Sequence, residues 1–200
     1  MSISQISSRV MEGVRGPIVS ALAAIGLQPN HVTVIGTVAA AAGGCFAAQG
    51  MLFLAGIIFL LGSLLDGLDG ALARRMGRTS RFGAFLDSVM DRVGEGLLLF
   101  GVLVYALRQN NDLAAAMSFL AVLFSFLVSY TRARAEGLGM HGNSGFAPRP
   151  VRILLLVAGL LTGRAGLVTA ATALVAVLSL ASSIQRGWEV WQQTKETPPR

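Results

Sequence analysis

Four aspartates lie between two long apolar runs of the chain. The stretch DGLDGALARRMGRTSRFGAFLDSVMDR, residues 66–92, contains Asp66, Asp69, Asp87 and Asp91. A carboxylate close to hydrocarbon is costly to keep ionised, so several of them in one place indicate a functional site. This stretch limits the possible folds because the chain must bring its apolar segments together and still keep these acids at a polar boundary.

The composition predicts an all-α integral membrane protein. Hydrophobic residues make up 54% of the chain and charged residues only 13%, whereas soluble domains carry about 25% charged residues. The length of 200 residues allows six transmembrane helices at roughly 20 residues each. The predicted spans are His31–Gly50, Leu52–Arg74, Phe82–Arg108, Leu113–Gly137, Arg149–Gly163 and Leu167–Gly187.

The chain is expected to have three parts. In residues 1–28, apolar residues recur at spacings of three and four in SISQISSRVMEGVRG, which predicts an N-terminal amphipathic helix at the membrane interface. A frayed polar tail is the alternative for this segment. Residues 29–193 are predicted to form the six-span domain, and residues 194–200 a polar tail.

The distribution of basic residues predicts the orientation. Fourteen of the sixteen Lys and Arg residues fall on one side of the predicted membrane, and only Arg108 and Arg164 on the other. The positive-inside rule then places both termini and the aspartate stretch in the cytoplasm, with the protein in the cell membrane. No nucleic-acid motif accompanies these residues, so no nucleic-acid partner is expected. An arginine-rich face attracts anionic bilayer lipids and phosphorylated substrates.

The spacing of the aspartates predicts a metal site. If both stretches are helical, Asp66 and Asp69 share one helix face, as do Asp87 and Asp91, and the basic turn 75–81 lets the pairs face each other. Oxygen ligands select hard ions such as Mg²⁺ or Mn²⁺, and four carboxylates can hold two of them. Paired hard metals clamp phosphate oxygens during in-line displacement. The alternative is that these acids pair with the nearby arginines as solvated loop charges.

The pattern D-x2-D-G-x2-A-R-x8-G-x3-D-x3-D, which begins at Asp66, resembles the complete signature of the CDP-alcohol phosphotransferase family. The resemblance implies a six-helix membrane enzyme, usually a homodimer, that transfers a phosphatidyl-type group from a CDP-linked lipid to an alcohol and releases CMP. It implies two metal ions on the four aspartates, with Asp91 also the base that deprotonates the acceptor hydroxyl. The residues expected to contact the CDP-lipid are Asn30, His31, Val32, Thr33, Gly70, Ala73, Arg74 and Ser80.

The segment SYTRARAEGLGMHGNSGFAPRPVRI, residues 129–153, bears on the acceptor. Its arginines indicate a second anion site, although the positive-inside rule alone also places arginines here. The segment resembles that of the subgroup that makes phosphatidylinositol phosphate, or archaetidylinositol phosphate, from inositol phosphate and CDP-diacylglycerol or CDP-archaeol. The resemblance implies that Arg132, Arg152 and Arg186 bind the acceptor phosphate. The subgroup's ERPER segment reads PRPVR here, so both of its acids are replaced.

Three other functions are open. Glycerol phosphate is the chief alternative acceptor for the same chemistry. An aspartate-rich intramembrane prenyltransferase would need a second Asp cluster, but after Asp112 the only acids are three glutamates. A metal transporter would need acidic or polar residues across several spans, whereas here they are confined to one face of the membrane.

Overall fold

The computed structural model describes residues 15–142 and 144–196, and within them every regular element is an α-helix. The predicted all-α class is therefore confirmed. The helices are α1 (residues 15–24), α2 (Pro29–Ala48), α3 (Leu52–Asp66), α4 (Asp69–Arg75), α5 (Arg81–Arg108), α6 (Asp112–Gly137), α7 (Arg149–Leu161) and α8 (Ala165–Glu196).

Six of these helices pack side by side into a closed ring. Helix α2 packs on α3 and α5, α3 continues to α7, α7 to α8, α8 to α6, and α6 returns to α5. All six contribute buried apolar side chains to one core, which includes Phe59, Leu98 and Leu156. The short α4 packs on α2. Helices α2, α3 and α5 are thus neighbours, and these are the helices around the aspartate stretch.

Helix α2 approaches its neighbours almost backbone to backbone. A Cβ atom added to Gly101 of α5 would lie 2.0 Å from the carbonyl oxygen of Gly44, and one added to Gly44 would lie 2.4 Å from that of Leu97. At the other end of α2, a Cβ on Gly36 would lie 2.9 Å from the Cβ of Asp66. Small residues of this kind let helices in membranes approach closely. They hold α3 and α5 at a fixed distance from α2.

Four helical segments are long and apolar enough to cross a membrane, namely Pro29–Ala48, Leu52–Arg75, Asp112–Gly137 and Ala165–Lys195. The other two predicted spans correspond to α5 and α7. Helix α5 has 28 residues but carries charges in its first half, and α7 has only 13 residues. Thirteen residues rise about 20 Å, less than the hydrocarbon thickness of about 30 Å. The number of six spans stays a prediction.

Several boundaries differ from the predicted ones. Helix α2 begins at Pro29, which suits the first helical turn because proline has no N–H to leave unpaired there. Helix α8 continues through residue 196, beyond the predicted end at Gly187 and into the predicted polar tail. Most of the predicted N-terminal amphipathic pattern, residues 1–14, lies outside the described residues, as do residues 197–200.

We expect Gly101→Ala to destabilise the protein, because its new methyl group would collide with the backbone of α2. Overpacking of this kind costs about 1–3 kcal/mol and should lower the unfolding temperature in detergent. The matched control is Gly187→Ala, since nothing lies within 4 Å of a Cβ added to Gly187. Alanine is the better helix former, so this control should be neutral or slightly stabilising. Equal unfolding temperatures for the two variants would contradict the close approach of α2 and α5.

Candidate active site

The four aspartates gather at one end of the ring although they lie on three helices. Asp66 is the last residue of α3, Asp69 is the first residue of α4, and Asp87 and Asp91 lie in the first three turns of α5. The helix that was predicted to run from Leu52 to Arg74 is divided into α3 and α4, so Asp66 and Asp69 lie on two helices. The break is a turn in which the Leu68 N–H donates to the carbonyl of Leu65, three residues back instead of four, and this turn still leaves the two acids close together.

Three of the carboxylates form a compact cluster. Oxygen atoms of Asp66, Asp69 and Asp87 all lie within 4.8 Å of one another. The Asp69 carboxylate is held on both sides: the Thr33 hydroxyl donates to Oδ2 at 2.6 Å, and the Gly70 N–H donates to Oδ1 at 2.5 Å. Asp66 is only 5% exposed. The cluster is therefore partly desolvated and oriented by fixed donors.

The residues of this cluster fit a divalent metal ion. Three carboxylates that close repel one another unless a cation lies between them, and a set made only of oxygen ligands favours a hard ion such as Mg²⁺ or Mn²⁺. Asp69 already has an outer partner in Thr33, which is the arrangement that orients metal ligands in other proteins. The donor chemistry therefore agrees with the predicted metal site.

Asp91 lies beside this cluster, and Arg149 connects the two. The Nη1 atom of Arg149 lies 2.5 Å from Oδ1 of Asp91 and 3.1 Å from Oδ2 of Asp66. Arg149 comes from the first turn of α7, far from the aspartates in sequence. A guanidinium at this point offsets part of the negative charge of the two aspartates that it contacts.

A cavity of about 190 Å³ opens next to the cluster; we call it the aspartate cavity because Asp69 and Asp87 line it. It lies between the start of α2, helix α4 and the start of α5. Six of the eight residues predicted to contact the CDP-lipid also line it, namely Asn30, Thr33, Gly70, Ala73, Arg74 and Ser80.

The remaining two of the eight do not line the aspartate cavity. Val32 is 1% exposed and packs with Leu68 and Leu72, and His31 is exposed on the outside of α2. Helical geometry explains why Asn30 and Thr33 line the cavity and His31 and Val32 do not. Positions 30 and 33 share one face of α2, and the two positions between them lie on other faces. The aspartate cavity also contains Arg78, which the sequence analysis did not single out.

A second cavity of about 220 Å³ is lined by Asp91 and shares no lining residue with the aspartate cavity. We call it the arginine cavity, since Arg92, Arg132, Arg149, Arg152 and Arg186 line it. All three arginines predicted for the acceptor phosphate are therefore in one cavity. Asp91 and Glu95 line the same cavity. The predicted base and the predicted anion site thus face one space.

The arginines of this cavity differ in their surroundings. Arg152 is 4% exposed and makes a bidentate ion pair with Glu95, with nitrogen–oxygen distances of 2.8 and 2.9 Å. Its Nη1 atom also donates to the carbonyl of Ala147 at 3.1 Å. Arg132 is half exposed and pairs with Glu136 at 2.9 Å on the surface. Arg152 is thus held firmly, whereas Arg132 is free to change its rotamer at little cost.

Arg186 and the rest of α8 hold the loop that follows α6 over the arginine cavity. Arg186 donates from Nε to the carbonyl of Ser144 at 2.7 Å and from Nη1 to the carbonyl of Val128. Further along α8, Glu189 accepts a hydrogen bond from the Ser144 hydroxyl, and Gln193 exchanges two hydrogen bonds with the backbone of His141. The loop is therefore fastened to α8 at several points.

Besides Arg78, the sequence did not reveal Glu95 or the contacts that Arg149 makes with the aspartates. Glu95 follows Asp91 by four residues, so the helical period already placed it on the same face of α5. Arg149 was expected to belong to a second anion site with Arg132 and Arg152, and it lines the arginine cavity. Nothing in its spacing indicated that it contacts Asp66 and Asp91, because that contact depends on how α7 packs against α3.

The family profile of the CDP-alcohol phosphatidyltransferases matches residues 27–185. The chain belongs to this family. Its relatives include the archaetidylinositol phosphate synthase of Pyrococcus horikoshii, 40% identical over 171 residues, which are 84% of this chain and 86% of the relative. They also include the phosphatidylinositol phosphate synthase of Mycobacterium marinum, 36% identical over 156 residues, or 77% of this chain and 67% of the relative. The resemblance found in the signature is thus confirmed.

Solved structures show the same likeness in three dimensions. The phosphatidylinositol phosphate synthase of Mycobacterium tuberculosis with CDP-DAG bound is similar with a TM-score of 0.83 and 32% identity, over 89% of this chain and 94% of that one. The same synthase in complex with manganese and citrate gives a TM-score of 0.84 at 32% identity, over 88% of each chain.

We expect Thr33→Val to weaken metal binding, because it removes the hydroxyl that orients Asp69. Loss of such an outer partner typically lowers metal affinity about 10- to 100-fold. Mn²⁺ binding to the purified protein can be measured by electron paramagnetic resonance. The control is Thr169→Val, whose hydroxyl bonds only within α8 and which should bind Mn²⁺ as the unmodified protein does. Equal Mn²⁺ affinity in both variants would show that Thr33 does not support the site.

Proposed function

We propose that this enzyme transfers a phosphatidyl group from a CDP-linked lipid, such as CDP-diacylglycerol or CDP-archaeol, to a hydroxyl of inositol phosphate. The products are phosphatidylinositol phosphate, or its archaeal counterpart, and CMP. The observation that carries this proposal is that aspartates of the signature line two separate cavities. One contains the family's signature residues, and the other contains Asp91 together with the arginines. The names of the relatives support inositol phosphate as the acceptor.

The aspartate cavity would hold the cytidine diphosphate. Gly70 and Ala73 leave room beside α4, and the guanidinium of Arg74 lies in the same wall as a partner for phosphate oxygens. Ser80 caps the start of α5 by accepting a hydrogen bond from the Gly83 N–H at 2.9 Å, which keeps that wall in place. The lipid tails would remain in the bilayer and enter between helices.

Asp66, Asp69, Asp87 and Asp91 would hold the metal, which we propose to be two Mg²⁺ or Mn²⁺ ions. When bound, such ions neutralise charge on the diphosphate and make its phosphorus a better electrophile. The manganese complex of the solved relative agrees with a hard divalent ion. The oxygen cluster of three of these aspartates is the structural basis for this assignment.

Asp91 would act as the general base. Its side chain faces the arginine cavity, where it can accept the proton of the acceptor hydroxyl. That hydroxyl oxygen then attacks the β-phosphorus, which carries the lipid, and CMP leaves. Arg149 contacts Asp91, where its positive charge offsets part of the negative charge of that carboxylate. Arg132, Arg152 and Arg186 would bind the acceptor phosphate on the far wall of the same cavity.

The remaining expectations concern assembly and location. We propose six spans, with residues 29–193 as the catalytic domain, an interfacial N-terminal segment and a short polar tail. The excess of basic residues at the end that holds the site supports a cytoplasmic active site in the cell membrane. Membership of the family supports a homodimer. The apolar side chains exposed along α5 and α6, such as Phe100 and Phe119, suit contact with lipid or a second copy.

The proposed acceptor can be tested with purified protein in detergent. The protein is given CDP-diacylglycerol and Mg²⁺ with inositol phosphate, glycerol phosphate, inositol or serine, and CMP release is measured. We expect inositol phosphate to have the highest kcat/KM. A higher kcat/KM for glycerol phosphate would show that glycerol phosphate, and not inositol phosphate, is the acceptor. Release of CMP only with unphosphorylated alcohols would exclude a phosphate-binding role for the arginines.

We expect Asp91→Asn to abolish turnover, because the amide cannot accept the hydroxyl proton, while metal-dependent binding of CDP is largely kept. Turnover is measured as CMP release, and CDP binding by titration calorimetry with and without Mg²⁺. Asp112→Asn is the control, since Asp112 is exposed at the start of α6, outside both cavities. Turnover by the Asp91→Asn enzyme would show that Asp91 is not the general base.

A further inference from the structure

Glu95 is a buried acid that the family signature does not include. It is 3% exposed and lies on α5 among buried apolar residues such as Leu98 and Leu99. Its two carboxylate oxygens accept hydrogen bonds from Nε and Nη2 of Arg152. A carboxylate in such surroundings is stable only when it is paired, and Arg152 provides this pair.

The ion pair fixes the orientation of the Arg152 guanidinium. A guanidinium has five N–H donors, and three of those of Arg152 are used by Glu95 and the Ala147 carbonyl. The group is planar, so these three bonds determine where its two other donors point. Because Arg152 lines the arginine cavity, the donors that remain are available to an anion there.

The same helix carries the proposed base and the anchor of this arginine. Asp91 and Glu95 are four residues apart on α5, so they lie on one face and about 6 Å apart along the helix axis. Both line the arginine cavity. One rigid helix therefore sets the distance between Asp91 and the group that holds Arg152.

We infer that Glu95 is a positioning residue for the acceptor. Glu95 holds the Arg152 guanidinium in a fixed position, and Arg152 binds the phosphate of the acceptor. The reacting hydroxyl of that acceptor molecule then lies at Asp91. This inference rests on the proposed function, and it adds a residue that acts on the acceptor through Arg152. A purely structural role is the alternative, since buried ion pairs also occur for that reason.

A double-mutant cycle separates the two roles. The variants are Glu95→Gln, Arg152→Leu and the combination of both, assayed for CMP release with CDP-diacylglycerol and inositol phosphate. Glu95→Gln should raise the KM for inositol phosphate about tenfold or more, as expected for loss of a charge-assisted hydrogen bond. The KM for CDP-diacylglycerol should stay the same. In the Arg152→Leu background, Glu95→Gln should have little further effect on either KM.

Two further variants calibrate the measurement. Glu95→Asp keeps the charge but withdraws it by one methylene group, so its KM for inositol phosphate should lie between those of the unmodified enzyme and Glu95→Gln. Glu136→Gln is the matched control, because its pair with Arg132 is exposed and exposed pairs contribute little. Its KM should change less than twofold. Unfolding temperatures in detergent show which variants are folded.

Three results would overturn the inference. The first is an unchanged KM for inositol phosphate in folded Glu95→Gln, and the second is an equal increase in the KM for inositol phosphate and the KM for CDP-diacylglycerol. The third is that Glu95→Gln raises the KM for inositol phosphate equally in the unmodified enzyme and in Arg152→Leu. The proposed acceptor is tested separately by the unmodified enzyme. If that enzyme prefers glycerol phosphate, the same cycle is run with glycerol phosphate and only the identity of the acceptor has failed. If it uses only unphosphorylated alcohols, both proposals are wrong.

Discussion

The close approach of α2 to α3 and α5 is the contact on which the site depends. At Gly44 and Gly101 the two backbones touch, and at Gly36 the start of α2 lies against Asp66. Larger side chains at these positions would separate α3 from α5 and with them the carboxylates that each helix contributes. The oxygen cluster therefore depends on the glycines at these positions of α2 and α5. In a membrane, where the hydrophobic effect does not drive helices together, such packing is the main source of tight association.

Acidic and basic side chains alternate at the end of the ring that holds the aspartates. Aspartates form the centre, Arg149 contacts two of them, and the arginine cavity follows, with Glu95 beneath Arg152. Asp66, Asp91 and Glu95 thus each contact an arginine, which makes their burial tolerable. The arrangement also suits two anionic substrates, because a diphosphate would meet the metal site and a phosphorylated alcohol would meet arginines. Asp91 lies where these two regions join.

The sequence was sufficient for the fold class, the aspartate cluster, most of the lining of the aspartate cavity and the main arginines of the arginine cavity. The signature residues lie within 26 positions of one another, so helical periodicity and one turn bring them together. The break between Asp66 and Asp69 was not predicted, because the apolar pattern continues smoothly into α4. The contacts of Arg149 and Arg152 were not predicted either, since they depend on how α7 packs against distant helices. His31 and Val32 do not line the aspartate cavity because they lie on other faces of α2 than positions 30 and 33.

The central claim is that carboxylates from three helices form one metal site between two substrate cavities. The most direct test is anomalous X-ray diffraction from crystals of the full chain grown with Mn²⁺. The account predicts anomalous density in contact with the oxygens of Asp66, Asp69 and Asp87. Density at other acids, such as Glu95 or Glu189, or no density here at Mn²⁺ concentrations that sustain CMP release, would contradict it.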